Sequence, residues 1–133
     1  MLIRLDFKST VPIYLQLRNQ IVLGIGRGDL QAGESLPTVR QLAQDAGINT
    51  MTADKAYALL KSEGFISVDR RHGATVNPAR KEDGAAESLE PQLELLVSEA
   101  GLRGISENEF LAVCKRVYAH MGGLKNRPEP GGR

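Results

Sequence analysis

The sequence holds one cysteine, no tryptophan and only 5% aromatic residues, and its charges nearly cancel at a formal +1. Each scarcity excludes something. A lone Cys114 has no partner for an internal disulfide, which rules out a disulfide-stapled secreted scaffold. The two histidines, His72 and His120, stand far apart with no second ligand pair at metal spacing, so no zinc site is expected. There is no Ser/His/Asp or Cys/His set, no glycine-rich phosphate loop and no recognisable carboxylate pair, so neither an enzyme nor a cofactor is expected. The longest apolar runs are too short to span a bilayer, and the start MLIRLDFKS lacks the apolar core and small-residue cleavage site of a secretory signal. The expected location is the cytoplasm, with no membrane partner.

What is present is the composition of a globular chain, 41% hydrophobic and 25% charged, with length for one ordinary domain or a small domain and an appendage. Residues 1–80 carry 10 Lys+Arg against 7 Asp+Glu, whereas residues 81–133 carry 7 against 9. That mild basic bias permits a nucleic-acid partner without establishing one.

After Pro12, the residues Tyr14, Leu17, Ile21 and Ile25 fall on one stripe of a 3.6-residue period and predict a first helix, weakened at its end by Gly24, Gly26 and Gly28. Thr38 is the candidate N-cap of a short second helix with Val39, Leu42, Ala43 and Ala46 on its buried side and Gly47 at its end. A third helix follows after only a few residues, with Ala53, Ala56, Tyr57 and Leu60 inward and Gly64 as its stop. So tight a glycine-containing turn forces the helices to cross steeply, which is the helix-turn-helix arrangement. Residues 65–68 (FISV) and 74–76 (ATV) are β-favouring runs around Asp69-Arg70-Arg71-His72-Gly73, a hairpin with a basic tip.

The third helix begins with Asn49-Thr50-Met51-Thr52, more hydrogen-bonding side chains than one N-cap requires. A helix start exposes unpaired N–H groups and the positive end of its dipole, which attract phosphate. In a helix-turn-helix these residues enter the major groove, where Asn can pair with adenine, Thr can bond base edges or phosphates and an apolar group can touch a thymine methyl. Any one of them could equally be a simple cap or a solvated residue; the reading rests on the set. Lys55, one turn on, is expected to project opposite the apolar face, toward a phosphate or a guanine. Thr38 and Arg40 lie where the second helix meets backbone phosphate, and Arg71, His72 and Gly73 are suited to probe a minor groove.

The run GDLQAGESLPTVRQLAQDAGINTMTADKAYALLKSEGFISVDRRHGATV resembles the DNA-binding domain of the GntR family of bacterial transcription regulators, over roughly residues 10 to 76. The resemblance lies in Gly33-Glu34-x-Leu36-Pro37-x-x-Arg40-x-Leu42-Ala43, then Asn49-x-x-Thr52-x-x-Lys55-Ala56-Tyr57, then Leu60-x-x-Glu63-Gly64 and the wing. It implies that Arg40, Asn49 to Thr52, Lys55 and Gly73 meet operator DNA. Departures occur at Thr50, Met51 and Ala53, where many relatives carry Arg or Pro, Asn and Val respectively, and at Ala74, where they usually have a second wing glycine; these bear on the operator sequence rather than the fold.

The expected fold is α+β, mainly α with a small β-hairpin: a winged helix-turn-helix over residues 1–77, a linker over 78–87, a two-helix tail over 88–123 and a disordered end over 124–133. In the tail, Ser88 is the expected cap of a helix with Leu89, Leu93, Leu96, Val97 and Ala100 on one face and Pro91 in its first turn. Ser106 and Glu109 form a capping box before Phe110, Val113, Cys114, Val117, Tyr118 and Met121. About fifty residues leave no room for a dedicated effector domain, and the short tail is similar to the YtrA subfamily, whose tails dimerise. Two short helices cannot cover both stripes by packing on each other, so Leu93, Leu96, Val97, Phe110, Val113, Val117, Tyr118 and Met121 are the expected homodimer face. Cys114 on that side serves as a small hydrophobe. The resulting expectation is a dimeric repressor on an inverted-repeat operator in double-stranded DNA, with any small-molecule effector unidentified. The alternative is a winged-helix module that binds another protein.

Overall fold

The stripe of Tyr14, Leu17, Ile21 and Ile25 forms α1 (Ile13–Arg27), with Pro12 at its N-cap and Leu17 and Ile21 fully buried in the computed structural model, which describes residues 3 to 124. Proline suits this position because the first helical turn has no use for its missing N–H. Helices α2 (Val39–Ala46) and α3 (Thr50–Ser62) pack with α1 around Leu42, Ala43, Ala53, Ala56, Tyr57 and Leu60. Strands β1 (Ile66–Asp69) and β2 (Gly73–Val76) pair antiparallel, Ile66 with Val76 and Asp69 with Gly73, and add Ile66, Ala74 and Val76 to the same core. Truncating a fully buried leucine such as Leu42 to alanine costs about 2–5 kcal/mol, a large share of the roughly 5–15 kcal/mol that holds a domain folded.

The tight α2–α3 turn is built by Gly47 at φ 70°, whose N–H and that of Ile48 reach back to the carbonyls of Gln44 and Ala43. This satisfies the last α2 carbonyls with a left-handed residue that glycine adopts without a Cβ penalty. Ile48, just past the turn, packs against the core, so the crossing of the two helices is fixed by both backbone and side chain.

Two connections absent from the sequence reading stiffen this unit. The segment before α2 pairs with β2: Gly33 N–H donates to Val76, Leu36 N–H to Ala74, and Val76 N–H to Glu34, making a third short rung beside the hairpin. At the N-terminus, Gln16 accepts from the Asp6 N–H and donates to the carbonyls of Asp6 and Val11, while Gln20 exchanges hydrogen bonds with the Arg4 backbone.

The chain divides into two compact units, one ending at Ala79 and the other beginning at Arg80. In the second, α4 (Ala85–Leu102) starts three residues before the expected cap, within the predicted linker. Ser88 bonds the Ala85 carbonyl instead of capping, and Gly84 at φ 78° holds the N-cap position. Pro91 therefore lies inside α4 rather than in its first turn, and the helix continues through Gly101 to Leu102. The capping box forms as expected: Ser106 accepts from the Glu109 N–H and Glu109 from the Ser106 N–H, starting α5 (Glu107–His120). Met121 is the C-cap of α5, before a short 3-10 turn at Gly122–Leu124. Of the end expected to be disordered, 124–133, Leu124 belongs to that turn instead, and residues 125–133 lie outside the described residues. Among the described residues no helix is long and apolar enough to cross a membrane.

Candidate nucleic-acid interface

Asn49 is the N-cap of α3, its Oδ1 accepting the Met51 N–H at 2.7 Å. The single-cap explanation thus accounts for one member of the polar cluster. Thr50 and Met51 remain exposed, Met51 at 79%, and Thr52 is half-buried on the first turn. Capping orients Asn49 so that its amide oxygen faces the helix while its NH2 group stays a donor, and the first-turn N–H groups add their partial positive charge.

Thr38 caps α2 as expected, Oγ1 accepting from the Gln41 N–H at 3.1 Å, and Arg40 is exposed in the first turn. The loop leading into this cap joins three elements. Leu36 is bonded to Ala74 of β2, and the next residue, Pro37, accepts the Tyr57 hydroxyl of α3 at 2.6 Å. The start of α2, strand β2 of the wing and the middle of α3 are therefore joined by three consecutive residues, Leu36 to Thr38.

The wing tip is a three-residue loop, Arg70-Arg71-His72, closed by Gly73 at φ 66°. Such loops need a left-handed residue at their end, which explains the glycine. Asp69 shapes the tip: its Oδ1 accepts the His72 N–H at 2.6 Å and its Oδ2 lies 3.3 Å from His72 Nδ1. The His72 backbone bond, with the ring beside it, holds the Asp69 carboxyl below its ordinary range. Arg70 and Arg71 point into solvent. At the wing base, Asn77 donates to Gly64 and accepts from Ser67, fixing the angle at which the hairpin leaves α3. No hydrogen bond or ion pair among the described residues joins the tip to the first turn of α3.

Lys55 departs from expectation. It is exposed, yet its Nζ lies 4.1 Å from the ring centroid of Tyr14 on α1 instead of standing away from the body. A cation–π contact explains the direction, because the face of the ring is negative and attracts the ammonium. Tyr14 is a residue that the sequence reading assigned only to the core stripe; its pairing with Lys55 is a tertiary event with no local signal. Arg70 is exposed beside Arg71 at the basic tip, and Asn77 ties the wing base to Gly64 and Ser67.

A sequence model described as "Bacterial regulatory proteins, gntR family" matches residues 11–76. The chain is 31% identical to the HTH-type transcriptional repressor YtrA of Bacillus subtilis (strain 168) across 94% of its own length and 99% of that protein's. The chain belongs to the GntR family. Its structure is similar to that of YtrA from Sulfolobus acidocaldarius, a GntR-family transcription factor, with a TM-score of 0.61, 34% identity and coverage of 74% of this chain and 95% of that one. It also matches the AraR DNA-binding domain in complex with operator ORX1, with a TM-score of 0.50 and 27% identity over 55% of this chain and 90% of that one. The winged helix-turn-helix is thus that of a family of DNA-binding transcriptional regulators, and its helical tail places this member beside the YtrA-like regulators.

The tail leaves most of the expected dimer residues uncovered. Leu93, Leu96, Val97, Val113, Val117 and Tyr118 are between 41% and 70% exposed, and Phe110, Cys114 and Met121 are half-buried.

Proposed function

We propose that the protein is a cytoplasmic, dimeric transcriptional repressor that binds an inverted-repeat operator in double-stranded DNA. The first turn of α3, Asn49 to Thr52, enters the major groove. Thr38 and Arg40 at the start of α2, together with Lys55, meet backbone phosphates, and Arg71, His72 and Gly73 probe the adjacent minor groove. The observation that carries this reading is the capped, solvent-facing start of α3, where polar groups, helix-end N–H groups and an exposed Met51 converge. The operator-bound AraR domain, built on the same winged fold, supports a DNA partner.

Dimerisation through the tail rests on its apolar residues. A stripe including Leu93, Leu96, Val97, Val113, Val117 and Tyr118 left in water is unfavourable by about 25 cal/mol for each Å² of apolar surface. A second copy covers it symmetrically and sets two α3 helices about 34 Å apart, one turn of DNA.

Sedimentation and operator titration test it together. The wild-type chain sediments as a dimer and prefers an inverted repeat to a single half-site by about a hundredfold or more. Val117→Glu, which places charge in the exposed stripe without touching the winged unit's core, gives a monomer that binds both DNAs equally weakly. A monomer with undiminished preference for the repeat overturns the dimer, and a dimer without preference for any sequence overturns the regulator.

A further inference from the structure

We propose that Tyr14 is a positioning residue that holds Lys55 as a clamp on the DNA phosphate backbone, an inference that rests on the operator-binding reading above. Tyr14 stands in the first turn of α1, half-buried, and packs against the hydrophobic core, so its ring is a fixed platform. Lys55 reaches it from α3, Nζ 4.1 Å from the ring centroid, inside the distance over which an ammonium is attracted to an aromatic face.

The kind of partner matters here. Among the described residues the ion pairs are Arg18 with Glu63 and His72 with Asp69, so no carboxylate neutralises Lys55. An acid would orient the ammonium but cancel its charge toward DNA; a ring orients it and leaves the charge and N–H donors available to an anion. The freedom that a solvated lysine would lose on binding is already partly removed, which favours association.

The tether also selects among the ligands a lysine can meet. The ammonium is held against Tyr14 in the first turn of α1, a different element from the α3 start that carries the base-reading side chains. A backbone phosphate at the groove edge fits that place, and a guanine edge in the groove does not. Lys55 then contributes affinity and register but no sequence information, which stays with Asn49 to Thr52.

The test is a salt titration of the full chain on its operator and on random DNA, with Tyr14→Leu, Tyr14→Phe, Lys55→Ala and the double variant Tyr14→Leu/Lys55→Ala. Lys55→Ala lowers affinity for both DNAs by a similar factor and reduces the slope of log K against log salt by about 0.9, one phosphate's worth. Tyr14→Leu does the same to a smaller degree, Tyr14→Phe keeps wild-type behaviour, and the double variant is no weaker than Lys55→Ala. If Tyr14→Leu fails to fold, trifluorinated phenylalanine at position 14 keeps the shape but drains the negative face, and it weakens binding relative to Tyr14→Phe. A wild-type slope in Tyr14→Leu, or an equal further loss on the Lys55→Ala background, overturns the positioning role. Loss on the operator without loss on random DNA overturns the phosphate assignment. A wild-type chain with no salt-dependent DNA binding overturns the operator reading itself, and the clamp with it.

Discussion

Arg18 on α1 grips Glu63 at the end of α3 with two parallel hydrogen bonds, Nε to Oε1 at 2.9 Å and Nη2 to Oε2 at 2.7 Å. The guanidinium lies 5.6 Å from the Phe65 ring centroid, and both side chains are about three-quarters covered, with exposures of 23% and 29%. This pair sets the far end of α3 against α1 just where the chain turns into the wing. Two-pronged pairs of this kind are stronger than ordinary surface pairs because each charge meets two bonds in a fixed plane.

Arg18→Ala is expected to lower stability by about 1–2 kcal/mol, between the range of exposed pairs and that of buried ones. Glu63→Gln, which keeps shape and one acceptor, is expected to lose about half as much. Urea unfolding followed by circular dichroism measures both. Losses below a few tenths of a kcal/mol would assign the α1–α3 register to apolar packing alone.

The Tyr57 hydroxyl, bonded to the Pro37 carbonyl at 2.6 Å, makes stability sensitive to high pH. Burial pushes its phenol well above the ordinary value of 10.0. The unfolded chain can release this proton near that value while the folded chain keeps it, so the contribution is complete below pH 10.0 and is lost as pH rises beyond. Tyr57→Phe is expected to be about 1 kcal/mol less stable at neutral pH and to show a flatter decline above it. Thermal unfolding across the alkaline range checks the sign: a decline that persists unchanged in Tyr57→Phe belongs to other groups.

Asn49 carries two roles that substitution can separate. Asn49→Ala removes the cap and is expected to cost about 1 kcal/mol together with DNA affinity. Asn49→Asp keeps the cap and suits the positive helix end, so it stays as stable as wild type, yet its carboxylate repels phosphate and cannot donate to adenine. Comparing unfolding with operator binding distinguishes the roles. Affinity that follows stability through both variants would leave Asn49 as a cap only.

How much of this was legible in the sequence depended on whether the signal was local. The α1 stripe was readable because Leu17 and Ile21 repeat at helical spacing, and Thr38, Ser106 and Gly47 were readable because caps are made within one turn. Strand positions shifted by a residue because the hairpin is set by the Asp69–Gly73 pair and not by the apolar run. The start of α4 was misplaced because Ala85, Ala86 and Glu87 are helix formers that a polar, proline-containing stretch disguised. What could not be read was tertiary. Gln16 and Gln20 look like solvated positions until the N-terminal segment folds across them, and nothing near Lys55 in sequence announces Tyr14.

The most direct test of the central claim is to select a binding site from a random double-stranded library with the full chain, then titrate that site against unselected DNA over increasing salt. The account predicts an inverted repeat, a linear fall of log K with log salt, and a specificity ratio of about a thousandfold or more that Asn49→Asp abolishes. Recovery of no common sequence, or a ratio that Asn49→Asp leaves intact, would contradict the placement of the α3 start in the groove.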